Sequence, residues 1–181
     1  MTSDLKLIQL SKKGSQSAFR RLVQRYEQRV RSTVIGMLGA VPEAEEVAQD
    51  VFIRFYRNLS QFKGESALST YLTRIAINLS LNALQARKRR QSRFSEMDVV
   101  DYKAVLKEVH NSQTQLEMSD LIEKSLERLD NDQRAVVVLR LMHGYSVKET
   151  AAMLDIPQGT VASRLSRAQV RLQEIIKALS K

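Results

Sequence analysis

Thr160, Ser163, Arg164, Arg167 and Arg171 are the residues with the clearest chemistry in this chain, and they crowd into one run, IPQGTVASRLSRAQVRL. Their three- and four-residue steps put them on one side of a helix. A guanidinium fork there can grip the O6 and N7 edge of guanine, which discriminates between bases by about 1–3 kcal/mol. Other arginines on such a face clamp phosphate and set register. Val161, Leu165, Ala168 and Leu172 step by four, three and four along a neighbouring face, which is expected to be buried. Gly159 would let the backbone come close to phosphates or to the preceding helix, and N–H groups at a helix start favour phosphate. The plain alternative is a solvated basic face.

Other chemistries find no footing. His110 and His143 are too far apart for a metal spacing, and the serines and aspartates form no nucleophile elbow or P-loop. The expectation is a non-enzyme with no metal, no cofactor and no small-molecule substrate. The chain has no cysteine, which excludes disulfides and thiolate metal sites and fits a reducing cytosol. No apolar run reaches the ~18 residues of a membrane span, and the first residues lack a signal-peptide core. A cytoplasmic protein with no membrane insertion is expected. A net charge of +9 over 181 residues favours a polyanionic partner, nucleic acid or an acidic membrane surface. With 43% hydrophobic residues the chain can still bury a core.

The elements that must position these groups read as helices. Only 6 Gly and 2 Pro punctuate the sequence, and apolar residues recur at three and four, so the expected fold is all-α. A first block spans about Asp4 to Leu38, closed by Gly36, Gly39 and Pro42. A second, EAEEVAQDVFIRFYRNLSQF, starts acidic, as suits a helix N-terminus. After the loop FKGES a third, ALSTYLTRIAINLSLNALQARKRR, carries Leu68, Leu72, Ile75, Leu79 and Leu84 inward. Phe52, Phe55, Tyr56 and Phe62 read as core. Periodicity fades over 91–118, which reads as a flexible linker between two small helical domains, 1–90 and 119–181. In the second, Gly144 is a left-handed helix end, Ser146 and Glu149 form a capping box, and Pro157 sits where another helix can begin. Two short helices with a tight turn, the second basic, predict a helix-turn-helix.

RLDNDQRAVVVLRLMHGYSVKETAAMLDIPQGTVASRLSRAQVRLQ resembles the second DNA-binding domain of the extracytoplasmic-function (ECF) group of bacterial sigma factors, in the sigma-70 family. AFRRLVQRY, EAEEVAQDVFIRFYRNLSQFKGES and STYLTRIAINLSLNALQARKRR resemble that group's first domain, in the right order. The resemblance implies a factor that binds core RNA polymerase, directs it to a promoter and helps open the duplex, with no catalytic site of its own. It implies that Ser163, Arg164 and Arg167, with Thr160 and Arg171 beside them, face the −35 element. Ser146 and Lys148 would touch DNA backbone there.

For the −10 element it implies the loop Lys63, Gly64, Glu65, Ser66, Ala67, which would hold a base drawn out of the stack at a cost of a few kcal/mol. Asn78 and Asn82, one turn apart, would offer amides to nearby bases. Arg87, Lys88, Arg89 and Arg90 suit phosphates of the upstream duplex, or are a helix end that favours cations. Glu46, Gln49, Asp50 and Arg54 would dock on the clamp helices of the polymerase's largest subunit, and the flap of the second largest is a further expected contact. An anti-sigma factor is an expected partner. Three positions depart from the family pattern: Ala162 where Lys or Arg is common, Tyr71 in place of Trp, and Asn82 in place of Asp. A stand-alone helix-turn-helix regulator, or an RNA-binding protein, is the rival reading.

Overall fold

The computed structural model describes residues 2–93 and 121–179, and every regular element among them is helical. The linker segment lies outside the described residues except for 91–93, which belong to a helix. His110 lies outside them too. No described helix is long and apolar enough to cross a membrane.

The first block is two helices, not one: α1 (Asp4–Lys12) and α2 (Gln16–Leu38). Gly14 breaks the run by taking φ +91, and Ser15 caps α2 by accepting from the Ala18 N–H. Gly36 does not close α2 but lies inside it, and Gly39 (φ 80) ends it. Pro42 opens α3 (Pro42–Arg57), whose first turn carries Glu43 and Glu45. A short 3-10 turn (Leu59–Gln61) leads into the 62–67 loop, and α4 (Leu68–Arg93) follows, extending three residues past the expected boundary at 90. Leu7, Leu22, Met37, Val51, Phe55 and Leu72 are fully buried between these helices, each contributing about 1.5–3 kcal/mol. Phe55 sits centrally, with ring centroids of Phe19, Phe62 and Tyr71 each 5.9 Å away. Tyr71, which stands where the family commonly has Trp, thus fills a wedge of this core, its ring also 4.9 Å from that of Phe62. Tyr56 does not join the core: it is 53% exposed.

The second half holds α5 (121–127), α6 (Asn131–Val137), α7 (Val147–Leu154) and α8 (Gln158–Leu179). α6 runs on through one π-type turn (Val138–Met142), where the His143 N–H reaches back to the Val138 carbonyl at 3.1 Å. Gly144 then takes φ 73, as expected of a left-handed end. The capping box forms, with Ser146 N–H to Glu149 Oε2 at 2.8 Å and Glu149 N–H to Ser146 Oγ at 3.2 Å. Asp155 makes the tight turn in the left-handed region, and the Pro157 carbonyl accepts from Thr160 and Val161 at the start of α8. Val161 and Ala168 are buried, with Leu165 and Leu172 half-buried beside them, so the expected inner face of α8 is the observed one.

The two halves pack against each other. Ala135, Val138, Leu139, Tyr145 and Met153 join the same apolar cluster as the core of α1–α4. Arg134, 5% exposed, donates to the Met37 carbonyl at 2.6 Å, to Glu127 at 2.5 Å and to Leu129 at 3.3 Å. One buried cation thereby caps the carbonyl ends of both α2 and α5.

Candidate nucleic-acid interface

The helix-turn-helix is α7, the Asp155 turn and α8. Its inner face is anchored by Val161 and Ala168, with Leu165 packed between them, so the other side of the helix is presented outward. Ser163, Arg167 and Arg171 are exposed, and Thr160 is half-buried at the helix start. Arg167 Nε lies 3.3 Å from the Ser163 carbonyl, and Arg171 pairs with Glu174 at 3.4 Å, with both side chains well exposed. An ion pair this open is worth little and leaves the guanidinium available. Arg164 differs: it is held by Asp132 at 2.5 Å, and its side chain is largely covered. Ala162 is exposed beside them. A Cβ on Gly159 would meet nothing within 4 Å, so this glycine does not serve close packing on the preceding helix. Only the approach of an outside backbone remains of the two roles expected of it. Ser146 and Lys148 are exposed at the opening of α7, although Ser146 Oγ is already occupied by the capping box.

In the first half, Lys63, Gly64, Glu65 and Ser66 form an exposed loop, with Gly64 at φ 77. The base of that loop is clamped from α1: Lys12 Nζ donates to the Phe62 carbonyl at 2.7 Å and the Ser60 carbonyl at 3.3 Å. Sequence reasoning missed Lys12, since a lysine in the last turn of a helix reads only as a match to the dipole. Asn78 and Asn82 are exposed one turn apart on α4. The basic run at the end of α4 divides. Arg87 Nε is held by Glu43 at 2.5 Å, tying α4 to the start of α3, while Lys88, Arg89 and Arg90 are exposed. Lys88 reaches a cleft between the two halves that Arg164, Arg167, Asp130 and Asp132 also line.

Glu46, Gln49, Asp50 and Arg54 are all exposed, on the side of α3 away from Val51 and Phe55. The apolar residue Ile53, 46% exposed, continues this face, with Tyr56 next to it. Phe19, Phe52, Ile53 and Tyr56 line a shallow groove edged by Arg20 and Arg57. From sequence Tyr56 reads as core because it lies one turn after Phe52, but spacing does not say which side of a partly apolar helix wins.

Two family models match the chain: sigma-70 region 2 over residues 22–90 and sigma-70 region 4 over residues 119–172. The chain is similar to the ECF RNA polymerase sigma-E factor of Escherichia coli, 36% identical over 98% of this chain and 96% of that one. Among solved structures it is similar to the sigma factor RpoE of Bartonella quintana, crystallised with the anti-sigma factor NepR, with TM-score 0.69 and 28% identity over 88% of this chain and 96% of that one. It is also similar to CnrH in complex with the cytosolic domain of CnrY, with TM-score 0.66 and 25% identity over 97% of each chain. An outward basic reading helix, an exposed loop ahead of α4 and a match that runs the length of a known sigma factor agree: this chain belongs to the extracytoplasmic-function group of the sigma-70 family of transcription initiation factors.

Proposed function

We propose that this chain brings core RNA polymerase to promoters by dividing the work between its halves, with domain boundaries near 1–90 and 119–181. α8 reads the −35 element through Ser163 and Arg167, with Arg164 joining once it leaves Asp132. Thr160 and Arg171 flank that contact, and Ser146 and Lys148 meet the DNA backbone. The 63–66 loop, with Asn78 and Asn82, takes the −10 element, and Lys88, Arg89 and Arg90 lie along upstream phosphates, with Arg87 contributing less because Glu43 holds it. The face Glu46, Gln49, Asp50, Arg54 docks on the clamp helices of the polymerase's largest subunit, Ile53 and Tyr56 supplying its apolar part. The second half meets the flap of the second-largest subunit. The factor works in the cytoplasm, an anti-sigma factor restrains it, and the polymerase carries out the chemistry.

The observation that carries this reading is the outward pair Ser163 and Arg167 on a helix anchored through the buried Val161 and Ala168 on its other side. Its test is transcription from a two-element promoter with core polymerase plus this protein. Specific transcripts are expected, and tight operator binding by the protein alone, without polymerase association, would favour the stand-alone regulator instead. For the −10 pocket, Ser66→Ala and Asn78→Ala should impair promoter melting with polymerase binding intact. Normal melting in both variants would remove that assignment.

A further inference from the structure

The 62–67 loop lacks one thing that a base pocket needs. Drawing a base out of the stack is repaid by hydrogen bonds to its edge and by apolar contact with its faces. The loop is rich in polar groups, with Lys63, Glu65 and Ser66 all exposed, but its one exposed apolar side chain is the methyl of Ala67. An apolar face has to come from another element, and α1 brings one. Leu5, in the first turn of α1, is 66% exposed. A Cβ on Gly64 would lie 3.9 Å from Leu5 Cδ2, so Leu5 stands against the middle of the loop with most of its own surface uncovered. Its turn is held in place. Ser3 caps the helix by accepting from the Lys6 N–H at 3.4 Å. Asp4 accepts from Arg25 Nη1 and from the Tyr26 hydroxyl on α2, and the Thr2 carbonyl accepts from Arg25 Nη2 at 3.0 Å. A lone exposed leucine needs no explanation. This one is fixed by bonds on both sides of it, against a loop that has almost no apolar surface of its own.

We infer that α1 forms the outer wall of the −10 pocket, and that Leu5 covers one face of the base held there. The inference rests on the −10 reading proposed above and deepens it. The occupant is an unstacked base of single-stranded DNA. Its phosphates suit this end of the molecule, since Lys6, next to Leu5, and Lys63 are both exposed cations. Gly64 leaves the way open: it holds φ 77 and has no side chain to lay over Leu5. An aliphatic side chain meets the flat face of any base alike, so Leu5 adds strength of capture, while choice of base stays with polar groups such as Ser66 and Asn78. Leu5 and Lys12 therefore act differently from one helix. Lys12 shapes the loop through its main chain, and Leu5 meets the base itself.

The test is capture of a dye-labelled −10 single strand by core polymerase carrying this protein, read by fluorescence anisotropy. The strand comes from a promoter the protein transcribes, and abasic sugars replace its bases one position at a time. Leu5→Ala should weaken capture of the intact strand about three- to tenfold. At one position the abasic sugar should erase that difference, so that variant and wild type bind alike. Leu5→Phe, with a larger flat face, should tighten the intact strand and not that abasic one. Position 5 is exposed, so both variants should keep the wild-type Tm within a few degrees. An equal loss by Leu5→Ala on the intact strand and on every abasic strand would make Leu5 a brace of the loop and overturn the inference. So would capture by Leu5→Ala at wild-type strength while Ser66→Ala and Asn78→Ala capture poorly. If no abasic sugar weakens wild type, and Ser66→Ala and Asn78→Ala capture normally, the −10 reading itself fails and this contact falls with it.

Discussion

Arg164, Arg167 and Arg134 are three arginines of one small domain in three different settings: paired with Asp132, exposed, and buried against main-chain carbonyls. Arg167 is exposed, and its Nε rests on nothing stronger than the Ser163 carbonyl, so Arg167→Ala should cost about 1–3 kcal/mol on a promoter carrying the preferred −35 base. Binding assays on matched and mismatched −35 sequences check this, and an equal loss on every sequence would make Arg167 a phosphate contact. Arg134 has the opposite character. Burial pulls its guanidinium below the ordinary arginine range, although Glu127 opposes that shift. Its role is to satisfy carbonyls of Met37, Glu127 and Leu129. Arg134→Met should leave those acceptors bare and destabilise the protein by about 3 kcal/mol, or roughly 6–12 °C in Tm by thermal denaturation. The sequence marks both residues alike as arginines in a basic domain. Only Arg167, at a fixed step from Val161 and Ala168, could be placed in advance. Arg134 could not, because its partners are main-chain oxygens, one of them brought from 97 positions away.

At the scale of elements, the capping box, the left-handed Gly144 and the inner face of α8 were all legible, since each depends on residues within one or two turns of one another. The first helical block was not. Gly14 sits in a polar run, SKKGSQS, that a long amphipathic helix could carry on its solvent side, and the positive φ shows it to be the break between α1 and α2. That break gives α1 a use: folded back on the bundle, it delivers Lys12 to the base of the 62–67 loop. Lys12→Met keeps the apolar stem and removes the donor, so the loop should lose its brace. Promoter opening should slow several-fold, with polymerase binding unchanged and Tm shifted by less than a few degrees. Lys12→Arg, which keeps a donor, should restore most of it. Opening rates followed by a fluorescent base at the −10 element would show this, and a Lys12→Met protein that opens promoters at the wild-type rate would mean the loop holds its shape unaided.

At the scale of the whole molecule, the expectation of two helical units holds, but their mutual packing was beyond reach from sequence, since Gly36 looks ordinary until Val138 and Met142 close on it, and Tyr145 until it reaches Thr73. The packing of the halves also carries a dependence on acidity. Burial first, and Arg29 second, depress His143 from 6.5 to about 4, so it is neutral where its Nε2 meets Thr33 Oγ1 at 2.8 Å. In the unfolded chain the ring regains its ordinary value. The stabilisation is therefore complete above about 6.5 and is lost as pH falls toward 4. Thermal denaturation should show Tm falling by a few degrees between about pH 7.5 and 5.5, and His143→Asn should flatten that profile.

The π-type turn at 138–142 has a consequence of its own. It stores one surplus residue inside a helix, and each residue added to or taken from a helix rotates the downstream chain by about 100°. Removing a single position there, Leu141 for instance, should leave α7 and α8 folded on each other while aiming Tyr145 away from Thr73, whose Oγ1 its hydroxyl reaches at 3.2 Å. Chain length at that spot, more than the identity of any one side chain, would then decide how the second half seats on the first.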